Sequence, residues 1–325
     1  CQPSRWSLLT GRFASAGTLN GSASVFFNMR PVPRSTSVPG LLQRHGYATG
    51  HFGKYHAHYL PGSSYSELTA GVKAIGFGTV GALYPGNLYD GPIPVKEHLP
   101  EWIIYEARAW LERTLSSGYN PFFASVNPTL EHAPFAPSLC SLSWKTPNGQ
   151  WSPTGAQRDE IRTRRQAIVK RLGMRCNDIE TLGRRLKPAN ARPLPGVHRL
   201  AVSLWQEDGL AQLLETLSKL NALTNTMIIN LGDHGVRLKG SVHTAARIPF
   251  SIRWDAMLPA VPSDDSTTFR ADRILRHPIS TVDVAPTIIH AAGLHEVPME
   301  IFDGLSLLPL LPLSKPLPLP PPPKL

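Results

Sequence analysis

The chain has 325 residues, 42% of them hydrophobic and 17% charged, and a net charge of +10. That length holds one large domain or two ordinary ones, each with a real core. No uninterrupted apolar run of about 18 residues is present, which argues against a membrane-spanning helix. No aromatic-interleaved basic stripe argues for nucleic acid, so the positive balance fits either an anionic ligand, such as a sulfate or phosphate ester, or a solvated arginine-rich surface.

CQPSRWSLLTGR, residues 1–12, reads as the start of a helix. Pro3 suits the first turn, where its missing N–H costs nothing. Cys1 and Arg5 then lie about one turn apart on one face. Cys1 occupies the positive end of the helix dipole with a guanidinium facing it, a place that favours an anion. The chain then becomes Gly/Ser-rich to residue 30. Residues 36–59 predict a short helix, a turn at His45-Gly46, and a strand running into Gly53-Lys54, with His56 just beyond. Residues 60–100 are rich in Gly and Pro and read as loop. Residues 101–117 place Ile103, Ala107, Trp110, Leu111 and Leu115 on one helical face.

PFFASV, residues 121–126, predicts a short strand that breaks into NPTLEHAPFAP, leaving His132 in a Pro-bounded loop. Residues 138–200 form a poorly defined basic insertion. Its cluster RDEIRTRRQAIVKRL predicts an exposed amphipathic helix. Residues 202–220 are strongly helical, with Val202, Trp205, Leu210, Leu213, Leu214, Leu217 and Leu220 at three- and four-residue steps. TMIINLG, residues 226–232, predicts a buried strand leading to Asp233-His234-Gly235. IPFSIRW alternates like a half-buried strand. TVDVAPTIIHAAG predicts a helix stopped by Gly293. Residues 312–325 are Pro-rich, predicted to be disordered polyproline, and stand outside the fold.

Helices alternating with strands predict an α/β fold with a mostly parallel central sheet flanked by helices. Ligands in such sheets sit beyond the carboxyl ends of the strands. Lys54 and His56 follow one strand, His132 the next, and Asp233 and His234 a third, so their convergence is the physical case for a single site. Three cysteines cannot close a disulfide framework. At most one bridge, Cys140 to Cys176, is available, and Cys1 is left for chemistry or for a small buried apolar role.

CQPSRWSLLTGR resembles the signature of the formylglycine-dependent sulfatase family, Cys-x-Pro-Ser-Arg followed by Leu-Thr-Gly-Arg, within the alkaline phosphatase superfamily. GYATGHFGKYH at 46–56, PFFASVNPTLEHAPFAP at 121–137, NLGDHG at 230–235, and TVDVAPTIIHAAG with the later Asp303-Gly304 resemble further blocks of that family, in family order. The resemblance implies a sulfatase-like domain over residues 1–311. It implies that Cys1 becomes formylglycine through a formylglycine-generating enzyme, and that the hydrated aldehyde attacks a sulfate ester. It further implies that Arg5 holds the diol, that Lys54 and His56 contact diol and sulfate, and that His132 binds sulfate or protonates the leaving alcohol. Lys239 resembles a second sulfate-binding lysine. Cys1, Asp233 and His234 resemble ligands of a divalent cation, usually calcium.

The family supplies two more metal-binding Asp residues from a strand before the signature Cys, and it ends in a small subdomain. Neither has a counterpart here, so a fragment lacking the N-terminal strand and C-terminal subdomain is expected, inactive as an isolated chain. The substrate implied is a sulfated small molecule or glycan, and the compartment secreted, lysosomal or periplasmic. The alternatives are a phosphomonoester, phosphodiester or phosphonate monoester hydrolase of the same fold, or a non-catalytic module that binds sulfated glycans.

Overall fold

A computed structural model of the chain describes residues 1–18, 29–62, 64–86, 98–118, 121–130, 132, 150–175, 196–235, 247–258, 274 and 277–313. In chain order the helices are α1 (Gln2–Thr10), α2 (Ala14–Gly17), α3 (Val38–Arg44), α4 (Tyr65–Ala74), α5 (Pro100–Ser116), α6 (Gly155–Arg171), α7 (Gly196–Lys219) and α8 (Val284–Ala291). The strands are β1 (Ala48–Lys54), β2 (Thr79–Tyr84), β3 (Phe122–Asn127), β4 (Ile228–Leu231) and β5 (Phe250–Arg253). β1, β2 and β3 form a sheet in the order β2-β1-β3, and β4 pairs with β5 in a separate ribbon. The chain has the expected α/β class, a parallel sheet flanked by helices. β1 and β2 pair in parallel, with Gly50 opposite Thr79, while β4 and β5 run antiparallel, with Leu231 opposite Phe250.

The stretch expected to be loop, 60–100, holds α4 and β2. Its Gly and Pro content hid a capping box. The Ser64 hydroxyl accepts from the Glu67 N–H, and the Glu67 carboxylate accepts from the Ser64 N–H. That reciprocal pair satisfies two of the helix's orphan donors, and Leu68 and Val72 bury the inner face of α4. β4 also departs from expectation. It is half-buried with Asn230 exposed, not a buried strand, and among the described residues it pairs with β5 alone.

The chain divides into two compact units. The first comprises Cys1–Ala48, Ala57–Tyr59 and Ser218–Leu325, and the second Thr49–His56 and Leu60–Leu217. In the second unit Phe52, Phe77, Leu83, Tyr84, Trp102 and Trp110 lie in the core, with Phe52 against Trp110 and Tyr84 against Trp102 at ring separations of 5.5 and 5.9 Å. Gly53 has φ +93, and a Cβ there would sit 2.2 Å from the Asn127 carbonyl oxygen. Only glycine lets β1 pass β3 at that distance.

The basic cluster forms α6, whose outer residues are exposed as expected. Arg165 is the exception. It is buried, and it meets Glu101 of α5 through two bonds of 2.8 and 3.1 Å. The Trp205 indole N–H donates to the same carboxylate at 2.8 Å, and the guanidinium carbon stands 5.0 Å from the centre of the Trp205 ring.

In the first unit α1 packs against α3, α8 and the 3-10 turn at Thr281–Asp283. His58 is buried there, and the Val32 N–H donates to its Nδ1 at 3.3 Å. Burial disfavours the imidazolium and lowers the pKa of His58 to about 4. The unfolded chain, whose His58 titrates near 6.5, therefore takes up the proton first. Its contribution is constant above pH 6.5 and is lost as the pH falls from about 6.5 to 4, by up to about 3 kcal/mol. Urea midpoints at pH 7.5 and 5 should show this loss, and His58→Gln should shrink it. An unchanged loss in the variant would assign the acid sensitivity to other groups.

Candidate functional site

The site grows from the two ends of α1. Cys1 is the N-cap residue, and the Arg5 N–H donates to the Cys1 carbonyl at 2.9 Å, so the first turn closes around position 1. Nothing acidic occupies that turn, and the positive end of the helix faces the Cys1 side chain without a competing charge from its own helix. Arg5, one turn on, donates through Nε to Asp233 Oδ2 at 3.0 Å. Burial lowers the pKa of this guanidinium, and Asp233 opposes the shift by charge and hydrogen bond.

The partner segment follows β4. The Gly232 N–H donates to the Pro249 carbonyl at 3.1 Å, and the chain bends at Asp233-His234. In a straight strand these neighbours would point to opposite faces. The bend instead sets Asp233 Oδ1 and His234 Nε2 3.7 Å apart, with Cys1 Sγ 3.1 Å from the same imidazole nitrogen. His234 Nδ1 is 2.9 Å from the Gly235 carbonyl, which can only accept, so Nδ1 carries the proton. In the neutral ring Nε2 then turns its lone pair toward position 1.

The other end of α1 is clamped. Gly11 takes the left-handed conformation with φ 66, and a Cβ there would lie 2.4 Å from the Phe302 ring. The Asp303 N–H donates to the Gly11 carbonyl at 2.8 Å, and Asp303 Oδ2 accepts from the Phe13 N–H at 2.8 Å. Asp283 ties down the adjoining turn by accepting from the Ser280 and Leu305 N–H groups at 2.7 and 2.8 Å. The two acidic positions singled out in the C-terminal blocks thus hold backbone, and through it the helix that ends in Cys1.

Of the residues expected at the site, the structure brings together Cys1, Arg5, Asp233 and His234, all in the first unit. Lys54, His56 and His132 belong to the second. Lys54 ends β1 and is buried. Regular extended geometry stops there: Gly53 has φ 93 and His56 φ 39, so strand alternation does not relate Lys54 to His56. The His56 N–H donates to the Pro85 carbonyl at 3.1 Å. The His132 N–H donates to Thr129 at 3.3 Å, and its carbonyl accepts from His98 Nε2 at 3.1 Å. His98 Nδ1 lies 2.7 Å from the Thr129 hydroxyl, which makes this buried histidine the brace of the His132 loop. Sequence reasoning missed His98, since a lone His in a Gly/Pro-rich stretch carries no periodic signal. Lys239, Cys140, Cys176 and the tail from 314 lie outside the described residues.

The donor atoms of Cys1, Asp233 and His234 all lie within 4.8 Å of one another, close enough to share a divalent ion. Calcium, however, takes about six to eight oxygens. The described residues offer it one carboxylate, with Oδ2 already engaged by Arg5. With Cys1 as a thiol, this set does not make a calcium site.

The Sulfatase family model matches residues 1–294. A Caenorhabditis elegans protein named as an extracellular sulfatase Sulf-1 homolog is 25% identical over 334 residues, covering 97% of this chain and 43% of its own length. The chain therefore spans less than half the length of that curated relative. Among solved structures, one concerned with the metabolism of multiple glycosaminoglycans by Bacteroides thetaiotaomicron superposes with a TM-score of 0.60 at 19% identity, covering 98% of this chain and 66% of the other. Ps i-CgsB in complex with k-i-k-neocarrahexaose superposes at 0.59 and 18% identity, covering 95% and 65%. At these identities the structures speak for the fold, and the family is shown by the family model, which matches from residue 1 to residue 294. The chain belongs to the sulfatase family.

Proposed function

We propose that this chain carries the nucleophile and the cation-facing residues of a sulfuric-ester hydrolase acting on a sulfated glycan or small molecule. The observation that carries the reading is the meeting of Cys1, Arg5, Asp233 and His234 from segments more than 220 residues apart. Conversion of Cys1 to formylglycine would supply a hydrated aldehyde, one hydroxyl of which attacks sulfur while the other later helps eject sulfate. Arg5, a turn from position 1, neutralises charge that builds there, and its bond to Asp233 keeps the carboxylate oriented. His234 presents Nε2 to the position-1 side chain, where it holds a hydroxyl proton or a cation. Lys54 and His56 are assigned to the diol and sulfate oxygens, Lys239 to sulfate, and His132 to proton delivery at the leaving alcohol. The glycan substrate draws on the glycosaminoglycan and oligosaccharide contexts of the two superposed structures. A secreted, lysosomal or periplasmic setting agrees with the extracellular designation of the curated relative.

Even with an oxygen at position 1, one carboxylate among the described residues is too little for calcium. The 325-residue chain alone is therefore expected to bind calcium weakly and to be inactive. A longer protein that adds carboxylates to Asp233 should bind tightly and hydrolyse aryl sulfate. Calorimetry tests the first half, and tight calcium binding by residues 1–325 alone would overturn it. Rates on aryl sulfate, phosphate and phosphonate esters with the longer protein test the second. A preference for either phosphorus ester would move the chain to the phosphorus-directed reading.

A further inference from the structure

In the form in which position 1 is still a thiol, the cluster has a coherent chemistry of its own. It offers one thiolate, one imidazole nitrogen and one carboxylate, the ligand mix of a borderline-soft ion. Its spacing comes within about 0.5 Å of what such an ion needs, with all three donor atoms within 4.8 Å of one another. Zinc bonds of about 2.3 Å to sulfur and about 2.0–2.1 Å to nitrogen or oxygen, set tetrahedrally, hold ligand atoms about 3.3–3.6 Å apart. The observed separations are 3.1 Å from Cys1 Sγ to His234 Nε2 and 3.7 Å from His234 Nε2 to Asp233 Oδ1.

The groups behind these ligands are already in place. Nδ1 of His234 donates to the Gly235 carbonyl, which leaves Nε2 free of its proton and aimed at the sulfur. Arg5 grips Asp233 Oδ2 and leaves Oδ1 toward the imidazole. Outer hydrogen bonds of this kind orient ligands on zinc and are worth about 10–100-fold in affinity. The charges close as well. A thiolate and a carboxylate neutralise a dication, and Arg5 with the helix N-terminus leaves the fourth position attractive to an anion or hydroxide.

We infer that the unconverted, thiol form of this chain is a zinc site made by Cys1 Sγ, His234 Nε2 and one Asp233 oxygen, the three ligands that the described residues supply. The chemical state of position 1 then selects the metal. Sulfur there takes zinc, and oxygen there removes the soft ligand that favours it. A zinc ion on Cys1 would also block the thiol from any later modification.

The test uses the whole 325-residue chain with Cys1 verified as thiol by intact mass, and it needs no ester, so its outcome is independent of the hydrolase reading. Cobalt(II), as a spectroscopic stand-in, should give a near-ultraviolet thiolate-to-cobalt band with tetrahedral d–d absorption, both discharged by one equivalent of zinc. X-ray absorption of the zinc form should report one sulfur among nitrogen and oxygen neighbours. Cys1→Ser should abolish the charge-transfer band. His234→Gln should weaken zinc binding by about 100-fold or more. Zinc should raise the melting temperature of the parent chain and leave that of Cys1→Ser unmoved. Persistence of the band in Cys1→Ser, unchanged affinity in His234→Gln, no sulfur in the absorption shell, or calcium binding as tight as zinc would each overturn the inference.

Discussion

Replacing Cys1 by alanine, in a protein long enough to complete the cation site, should lower kcat/KM for an aryl sulfate on the order of 10⁴- to 10⁶-fold. The size follows from what position 1 is asked to do. The proposed reaction needs a covalent acceptor for the sulfuryl group, and it needs a second hydroxyl on the same carbon to release it. Alanine offers neither, and no described neighbour can stand in. The His234 ring is 3.1 Å away but anchored through Nδ1, and Asp233 is committed to Arg5. The change should leave the fold intact. Cys1 is half-buried at the N-cap of α1, where its side chain makes no capping bond, and the helix keeps its Arg5-to-Asp233 bond and its Asp303 clamp. Initial rates paired with a thermal melt decide the matter. Activity within about tenfold of the parent at unchanged stability would remove position 1 from the chemistry.

The largest stability effect should come from Arg165→Ala in the second unit, at a cost of about 3–5 kcal/mol. Arg165 and Glu101 have side chains only 3% and 9% exposed. Truncating the arginine therefore leaves a carboxylate in a dry setting, with the Trp205 indole as its one remaining described donor. It also removes the guanidinium that lies over the Trp205 ring, between α6 and the Trp205 stretch of α7. The urea midpoint should fall accordingly, and the melting temperature should drop by on the order of 10 °C. The control is the double change Arg165→Met with Glu101→Leu. It leaves no orphan charge and should recover most of the loss, since a buried ion pair adds little over an apolar pair of similar volume. A single variant as stable as the parent would mean that water reaches Glu101.

The pair shows where a composition-based view of the basic insertion stops. Read along the chain, RDEIRTRRQAIVKRL is a run of cations on an amphipathic helix, and Arg162, Lys170 and Arg171 are indeed exposed. Nothing local separates Arg165 from them. What selects it is a glutamate 64 residues earlier in the chain on another helix. α4 was hidden for a different reason. Glycine and proline around it signalled breaks, while its start is set by a reciprocal bond between two ordinary residues, Ser64 and Glu67. α1, α3, β1, α5, β3, α7 and α8, by contrast, follow their hydrophobic periodicity and their punctuation by Pro3, Gly46, Gly118 and Gly293.

The site divides along the same line. That Cys1 and Arg5 share one turn of a helix is a local fact, since helical pitch places residues four apart on one face whatever the rest of the chain does. The order of the family blocks is likewise a property of the linear chain. That Asp233 faces Arg5, that His234 turns Nε2 to the sulfur, and that Asp303 seizes the far end of the helix are not local. Each depends on a bend or a turn whose geometry is set by a pairing partner outside its own element, the neighbouring strand β5 for the Asp233 bend and, from the far end of the chain, Gly11 for Asp303. Short-range periodicity encodes which way a side chain leaves its own element. Which two elements then meet is decided by long-range packing, and that is where the chemistry of this chain is assembled.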